Sequence, residues 1–142
     1  MIFNLAAVHR TRSSDEAYFE TNIRGAENVC AFARNTIFEK ILFTSSIAPY
    51  GAGEEKKDEN SLPMPNTPYG ISKLVAEKIH EVWQAKDESR ELTIVRPGIV
   101  YGKGEHGNMT RLYWSQKKRY SSIQEERIQL NRSIYVRFSS FL

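Results

Sequence analysis

The chain has 142 residues, enough for one domain, and 40% of them are hydrophobic, so a single buried core is feasible. The formal net charge is only +3, and the basic residues are concentrated late in the chain. Nucleic-acid binding is therefore a weak interpretation. No segment has the apolar length of a membrane span, and a single cysteine, Cys30, allows no internal disulfide. We therefore expect a cytoplasmic protein with neither a nucleic-acid nor a membrane partner.

Strands and helices alternate through the first part of the chain. The apolar run 2–7 predicts a buried parallel strand, and apolar residues at helical spacing over 16–34 predict a helix. A serine or aspartate in the stretch 13–15 would cap that helix. The run 40–46 predicts a second strand, and the charged stretch 54–60 predicts a solvent-facing loop after it.

The same alternation continues after the charged loop. Three of the five prolines lie in 62–68 and predict an extended loop, whose end, Thr67-Pro68, is typical of an N-cap followed by proline at the first helical position. Apolar residues on one face predict a helix over 69–86, and 92–96 predicts a third strand closed by Pro97-Gly98. This order of elements predicts an α/β fold with a parallel sheet.

Two side chains on the second predicted helix, Tyr69 and Lys73, carry the clearest chemistry. A spacing of four residues stacks them on one helix face. An ammonium beside a phenol favours the phenolate, so we expect the pKa of Tyr69 to fall toward neutrality, where it can exchange a proton with a substrate hydroxyl. Ser46, at the end of the second strand, would hold that hydroxyl; Thr44 shares its face and Ser45 points the other way.

Each part of this arrangement has an ordinary structural alternative. Tyr69 and Lys73 on their own are more often an exposed pair on a helix, and serines at a strand end often satisfy backbone groups. The context favours the chemistry, because the carboxyl ends of parallel strands open onto one crevice and the three segments converge there. His80 and His106 have no partner at metal-ligand spacing, so we predict no metal site.

Five stretches of the chain match the motif pattern of one known enzyme family. They are Phe3-Asn-Leu-Ala-Ala-Val-His9, Thr21-Asn-Ile-Arg-Gly-Ala-Glu-Asn-Val29, Leu42-Phe-Thr-Ser-Ser-Ile-Ala-Pro-Tyr-Gly51, Pro68-Tyr-Gly-Ile-Ser-Lys73 and Ile94-Val-Arg-Pro-Gly-Ile-Val-Tyr-Gly102. In this order they resemble the extended short-chain dehydrogenase/reductase family, in its nucleotide-sugar epimerase/dehydratase branch. The resemblance covers about residues 2–107. It implies a partial Rossmann-like, doubly wound parallel sheet that holds only the later strands of the full fold.

The resemblance also implies a catalytic set and a cofactor, NAD, with NADP as the alternative. Tyr69 would be the acid/base, Lys73 would tune it and hold the nicotinamide ribose, and Ser46 with Tyr69 would bind the substrate hydroxyl. In this family NAD oxidises a sugar carbinol and the hydride is then returned, to the opposite face in an epimerase. The remaining implied positions are the cofactor contacts Ala6, Ala7, Thr21, Pro97 and Gly98 and the site-supporting Asn22.

The chain departs from the family pattern at several positions. Members that dehydrate the sugar carry Asp-Glu where Ile47-Ala48 stands, which argues against dehydration, and many carry asparagine where Ile99 stands. In this family a glycine-rich turn between a strand and a helix holds the pyrophosphate of the cofactor. No such glycine pattern follows a predicted strand here and leads into a helix. The glycines of 102–107 come after the third strand without a helix opening from them, so they do not supply that turn.

The chain beyond residue 107 carries weaker patterns. The stretch 109–120 predicts an amphipathic basic helix and 133–136 a short strand within an otherwise irregular basic tail. With the resemblance, we expect residues 1–107 to be the catalytic part of an NAD-binding Rossmann-like domain. Residues 108–142 would be a divergent remnant of the substrate-binding region.

Three functions stay open at this point. The first is a truncated NAD-dependent nucleotide-sugar epimerase or reductase, inactive as an isolated fragment and a homodimer as a full-length protein, whose partner is a nucleotide-diphosphate sugar. The second is a non-catalytic remnant or interaction module of the same family. The third is a steroid- or flavonoid-type alcohol dehydrogenase/reductase, which would keep the same chemistry with a different substrate.

Overall fold

The computed structural model describes residues 1–9, 14–53, 56–100 and 112–116, together with the backbone of 135–139. Two compact units divide the chain, residues 1–98 with 134–142 and residues 99–133, and the strands and long helices all belong to the first. The glycine segment 102–107 and most of the predicted 109–120 helix lie outside the described residues, although 112–116 is helical. None of the helices in these ranges combines the length and the hydrophobicity that a membrane span requires.

Four strands in the described part of the chain form one sheet, in the order β1 (Ile2–Asn4), β2 (Lys40–Thr44), β3 (Glu91–Arg96) and β4 (Tyr135–Ser139). The first three run parallel and in register, whereas β4 runs antiparallel to β3. The predicted α/β fold with a parallel sheet is therefore confirmed. β4 begins inside the stretch 133–136, for which the sequence predicts a strand.

The first long helical stretch combines three segments, which are α1 (Asp15–Tyr18), a π-helical segment (Phe19–Ile23) and α2 (Arg24–Arg34). Ser14 is its N-cap, since its Oγ accepts a hydrogen bond from the amide of Ala17 at 3.3 Å. The helix predicted from apolar spacing is present, but that spacing did not predict the π turn. Such turns often occur at functional sites.

The helix α3 (Pro68–Gln84) begins where the sequence predicts. Thr67 is the N-cap, and its hydroxyl oxygen accepts a hydrogen bond from the amide of Gly70 at 3.0 Å. A 3₁₀ turn (Ala48–Tyr50) precedes it and packs against its first turn. A Cβ on Gly70 would lie 2.7 Å from the carbonyl oxygen of Ala48, so glycine at this position permits the close approach.

The core lies between α2, α3 and one face of the sheet. Its fully buried members are Ala26, Cys30, Ala33, Ile41, Phe43, Ala76, Trp83, Leu92 and Ile94. Because side chains alternate along a strand, Ile41 and Phe43 face this core, whereas Leu42 lies on the other face and is only half-buried. The core fixes the helices on the sheet so that the start of α3 lies near the carboxyl ends of the strands.

β1 is shorter than the predicted strand 2–7. The buried side chain of Asn4 accepts a hydrogen bond from the amide of Ala6 at 3.3 Å. This local bond turns the chain away from the ladder that would continue the strand. Ala6 and Ala7 therefore lie in the loop after β1, at the carboxyl edge of the sheet.

Candidate active site

The carboxyl edge of the parallel strands brings Ser46, Tyr69 and Lys73 together. Ser46 follows β2, and Tyr69, in the first turn of α3, lies close enough for the Ser46 hydroxyl to lower the pKa of its phenol. The hydroxyl oxygen of Ser46 also accepts a hydrogen bond from the amide of Ala48 at 3.2 Å. Lys73, one turn further along α3, donates to the carbonyl oxygen of Thr44 at 2.7 Å. The three residues predicted to be catalytic thus share one location.

The pKa of Tyr69 differs from the expectation drawn from the sequence. Burial raises this pKa above the ordinary tyrosine value, the hydrogen bond with Ser46 opposes the increase, and the nearby Tyr18 adds to it. The rings of Tyr18 and Tyr69 lie 6.1 Å apart. The predicted fall toward neutrality is wrong for this structure, because burial dominates and the ammonium of Lys73 is directed at the Thr44 carbonyl. At neutral pH the phenol is therefore protonated.

Lys73 is almost completely enclosed, with 1% of its surface exposed, which is rare for a lysine. Burial lowers its pKa from 10.5 to about 8, and the negative charge of Glu77 opposes that shift. Its Nζ lies 4.4 Å from the centre of the Phe43 ring, a cation–π contact. An ammonium carries three donors, and within the described residues the Thr44 carbonyl takes one of them.

Ser45 and Ser46 point into different surroundings, as their positions on the strand predict. The hydroxyl of Ser45, 3% exposed, donates to Oε1 of Glu77. Ser46 is half-buried and contacts Tyr69 instead. The first serine therefore belongs to the core beneath the site, and the second belongs to the site itself.

A buried charged network beneath the site was not anticipated from the sequence. Glu77 and Arg96 are 0% and 2% exposed, and the guanidinium of Arg96 donates to both carboxylate oxygens, from Nε at 2.9 Å. Its Nη1 donates to the hydroxyl of Tyr50 at 2.7 Å. One signal was available, because Glu77 follows Lys73 by four residues and so shares its helix face. Because glutamate and arginine are usually exposed, the sequence alone assigns neither residue to the site.

Asn22, on the π-helical segment, joins the loop after β1 to α3. Its Oδ1 accepts a hydrogen bond from the amide of Val8 at 2.8 Å, and its Nδ2 donates to the carbonyl of Val8 at 3.1 Å and to Ser72 Oγ at 2.9 Å. The hydroxyl of Ser72 in turn donates to the carbonyl of Tyr69 at 2.8 Å. These bonds suit the supporting role for Asn22, which stays a prediction.

The other predicted cofactor contacts on this side lie around the same edge. Ala6 is exposed and Ala7 half-buried in the loop that Asn22 holds through its neighbour Val8. Thr21 is half-buried on the π-helical segment, and no described hydrogen bond joins it to the catalytic candidates. Their contact with a cofactor stays a prediction.

Pro97 and Gly98 follow β3 and are half-buried. The carbonyl of Pro97 accepts a hydrogen bond from the amide of Ile47 at 3.2 Å, which places it beside the loop that carries Ser46. The end of β3 therefore borders the candidate site, as the order of the motifs predicts. Their role in lining a nicotinamide pocket is untested.

His80 is fully buried and serves the core. Its Nδ1 lies 2.7 Å from the carbonyl oxygen of Ala76, its Nε2 lies 3.3 Å from Nδ2 of Asn4, and its ring stacks on Phe43 with centroids 4.3 Å apart. Burial lowers its pKa, so the imidazole is neutral at pH 7. In the described part of the chain, no group of three or more His, Cys, Asp or Glu residues is placed to hold a metal ion. His106 lies outside that part.

Comparison with protein families gives a match over residues 1–128 to the family described as NAD dependent epimerase/dehydratase. The chain belongs to this family. The match covers the five motifs quoted above and confirms the resemblance to the extended short-chain dehydrogenase/reductases, including the Rossmann-like character of the sheet.

Two curated members of the epimerase family are each 38% identical to this chain. One is the N-acetyl-alpha-D-glucosaminyl-diphospho-ditrans,octacis-undecaprenol 4-epimerase of Escherichia coli O157:H7, aligned over 110 residues, which are 76% of this chain and 33% of the relative. The other is the UDP-glucose 4-epimerase of Vibrio cholerae, aligned over 100 residues, which are 67% of this chain and 30% of the relative.

A solved structure of the epimerase family has the same fold as this chain. The UDP-glucuronic acid 4-epimerase from Bacillus cereus, in complex with NAD, superposes with a TM-score of 0.64 at 26% identity. The superposition covers 71% of this chain and 33% of that protein. The chain therefore spans about one third of the length of the relatives that it matches.

The residues present fit one end of NAD, the cofactor that the family name implies. A buried ammonium, of whose three donors one is bonded within the described residues, suits the ribose and nicotinamide end of a dinucleotide when a serine hydroxyl and a phenol lie beside it. The pyrophosphate end normally rests on a glycine-rich turn, and among the described residues no such turn links a strand to a helix. The fit is thus confined to Ser46, Tyr69, Lys73 and the loops beside them.

Proposed function

We propose that this chain carries the proton-transfer part of an NAD-dependent nucleotide-sugar epimerase or reductase. The observation that supports this most strongly is the location of Ser46 and Tyr69 together at the carboxyl edge of the sheet, one helical turn from the buried ammonium of Lys73. A serine hydroxyl and a phenol in contact provide two partners for one substrate oxygen. Membership of the epimerase/dehydratase family supplies the reaction class.

In this proposal Tyr69 transfers the proton. Its raised pKa keeps the phenol protonated at neutral pH, so in the resting protein it is ready to donate to a keto oxygen. Ser46 orients that oxygen through its hydroxyl. Lys73, whose pKa is about 8, is mostly charged at pH 7 and holds ribose hydroxyls. NAD, when bound, supplies hydride uptake and delivery at the sugar carbinol carbon.

The proposed substrate is a sugar linked to a nucleotide diphosphate. One relative is named for UDP-glucose and the other for a sugar on diphospho-undecaprenol, so the two names share a diphosphate-linked sugar. Both are named 4-epimerases, and the apolar pair Ile47-Ala48 provides no carboxylate for dehydration. A steroid- or flavonoid-type alcohol as substrate stays an alternative that none of these observations supports.

We also propose that the protein acts in the cytoplasm. Cys30 is buried in the core, and burial raises the pKa of its thiol to about 11, which suits a structural residue in a reducing compartment. Because the chain covers a third of its relatives, we expect the isolated protein to bind NAD weakly and to turn over little or nothing.

The proposal is tested by NMR titration of the 142-residue protein with NAD, with and without UDP-glucose. We expect millimolar NAD to shift the signals of Ser46, Tyr69 and Lys73, and the Lys73→Met variant to lose that response. Lys78→Met, on the exposed side of the same helix, is the matched control and should respond as the unaltered chain does. Signals that stay unmoved at saturating NAD would contradict the proposal, and tight NAD binding would contradict the expected weakness.

A second candidate, an interaction module, is supported by one specific feature of α3. Ile71, Val75 and Val82 are 49%, 36% and 56% exposed, and their spacing of four and seven residues places them along one side of the helix. We call these three residues the α3 stripe. An exposed apolar stripe of this kind suits association between protein chains, and the homodimer expected for the full-length protein would use it.

A further inference from the structure

The loop that carries Ser46 is held at both ends by one buried ion pair. At its start, the hydroxyl of Ser45 donates to the carboxylate of Glu77. At its end, the hydroxyl of Tyr50 accepts a hydrogen bond from Nη1 of Arg96 at 2.7 Å. Between these two anchors lie Ser46 and the 3₁₀ turn. The arrangement therefore fixes the loop from below at two points.

The ion pair itself joins two elements that meet at the site. Glu77 comes from α3, one turn after Lys73, and Arg96 is the last residue of β3. The guanidinium donates to both carboxylate oxygens, and both side chains are nearly inaccessible to solvent. Two-point contact of this kind fixes direction as well as distance.

A pair this deeply buried is a poor means of gaining stability. Removing two charges from water costs several kcal/mol, and apolar replacements of both partners are often neutral or stabilising. A contribution to stability therefore does not explain why Glu77 and Arg96 are charged. Control of the loop geometry does explain it, because the carboxylate of Glu77 and the guanidinium of Arg96 each form a hydrogen bond with a residue of that loop.

We propose that Glu77 and Arg96 are positioning residues, which hold the loop 45–50 so that the hydroxyl of Ser46 meets the phenol of Tyr69. The proposal rests on the proposed function, since it gives Tyr69 the role of acid/base. Neither residue touches the reacting atoms in it. Backbone bonds, from Ser45 to the Val95 carbonyl at 2.7 Å and from Ile47 to the Pro97 carbonyl at 3.2 Å, bring the loop to β3, and the ion pair sets its side-chain direction.

The test cuts the two anchors and keeps the ion pair. Ser45→Ala/Tyr50→Phe removes one hydroxyl at each end of the loop, and the ionisation of Tyr69 is then followed by ¹³C NMR of labelled tyrosine, with Tyr69→Phe to assign its signal. Because the Ser46 hydroxyl lowers the pKa of Tyr69, the loss of this contact should raise that pKa further. The matched control is Ser89→Ala, an exposed hydroxyl bonded to Asp87, which should leave the titration unchanged.

A second variant examines the pair directly. Glu77→Met/Arg96→Met replaces both charges with apolar side chains of similar length, and circular dichroism reports whether the fold is kept. If it folds, Tyr69 should show the same upward shift. Should it unfold, Ser45→Ala/Tyr50→Phe decides by itself, with Ser45→Ala alone as its milder form. A folded variant of either kind in which Tyr69 titrates as in the unaltered chain would overturn the proposal.

This measurement needs neither NAD nor sugar, so the two proposals fail separately. An unchanged Tyr69 titration removes the positioning role and leaves the proposed function as it stands. A shifted titration together with an NAD titration that moves no signal at the site removes the proposed function alone.

Discussion

Lys73 is a residue whose proposed functional charge lowers the stability of the folded chain. Its ammonium is enclosed beside Phe43 and the Thr44 carbonyl, and burial lowers its pKa to about 8. At neutral pH the folded chain therefore holds a charge that the unfolded chain would keep in water. Residues maintained at such a cost are typical of active sites.

Lys73→Met should stabilise the protein at neutral pH by about 1–3 kcal/mol, because it removes the buried charge and keeps the apolar stem. In the unaltered chain the folded pKa is about 8 and the unfolded value 10.5, so the unfolded state binds more protons between these limits. Stability from this group consequently rises with pH across that range. The advantage of the variant should be largest below pH 8 and should shrink toward pH 10.5.

Urea unfolding at several pH values checks this, with Lys78→Met as the control. The side chain of Lys78 is 58% exposed and pairs with Glu81 at the surface, so its removal should change stability by less than about 1 kcal/mol. A Lys73→Met protein less stable than the unaltered chain at pH 7 would contradict the argument.

At the scale of elements, the contact between α3 and the 3₁₀ turn decides where Tyr69 lies. The two meet so closely at Gly70 that a Cβ there would be 2.7 Å from the Ala48 carbonyl oxygen and 3.1 Å from Thr67 Oγ1. The first of these is a backbone atom, which has little freedom to move away. Glycine is therefore required by the packing of the two elements, since Gly70 lies within a regular helix.

Gly70→Ala should destabilise the fold by about 1–3 kcal/mol and should disturb the NMR signals of Ser46 and Tyr69, because the turn must shift away from the helix. Gly25→Ala is the matched control. Gly25 lies in α2, where nothing would approach an added Cβ within 4 Å, so this change should stabilise by about 0.5–1 kcal/mol. Equal stabilisation by both substitutions, measured by thermal unfolding, would show that the contact is not tight.

For the whole molecule, the sequence predicts the positions of helices and strands better than the pKa values and buried charges. Thr67-Pro68 marks the start of α3 correctly, and the serine positions after β2 separate Ser45 from Ser46, because caps and strand alternation are local rules. The pKa direction of Tyr69 was wrong, since it depends on burial by distant parts of the chain.

The buried ion pair beneath the site could not be predicted from the sequence for the same reason. Glu77 and Arg96 are far apart in sequence, and each resembles an exposed residue until the fold encloses both. The shortened β1 depended on a side-chain bond of Asn4 that an apolar run does not reveal. Local chemistry is therefore predictable from the sequence, whereas properties created by enclosure require the fold.

In the second candidate function, the interaction module, the chain would associate through the α3 stripe. Val75→Lys/Val82→Lys should reduce any concentration-dependent increase in apparent mass, because it places charges on that apolar surface. Ile37→Lys, at an apolar position 93% exposed and away from α3, should leave the increase as it was. Light scattering after size exclusion provides the measurement. Equal behaviour of both variants would remove the stripe as the associating surface.

Because of the π turn at Phe19–Ile23, the position of Asn22 depends on the number of residues in its helix. An ordinary helix advances about 100° per residue, and a π turn absorbs one residue beyond that pattern. Deleting one position there would restore regular winding and leave the rest of the helix in register, while the residues of the turn itself would change their positions. The amide of Asn22 would then leave Val8 and Ser72. Chains descended from this one can exchange residues along the segment, but they cannot lose one without losing that connection.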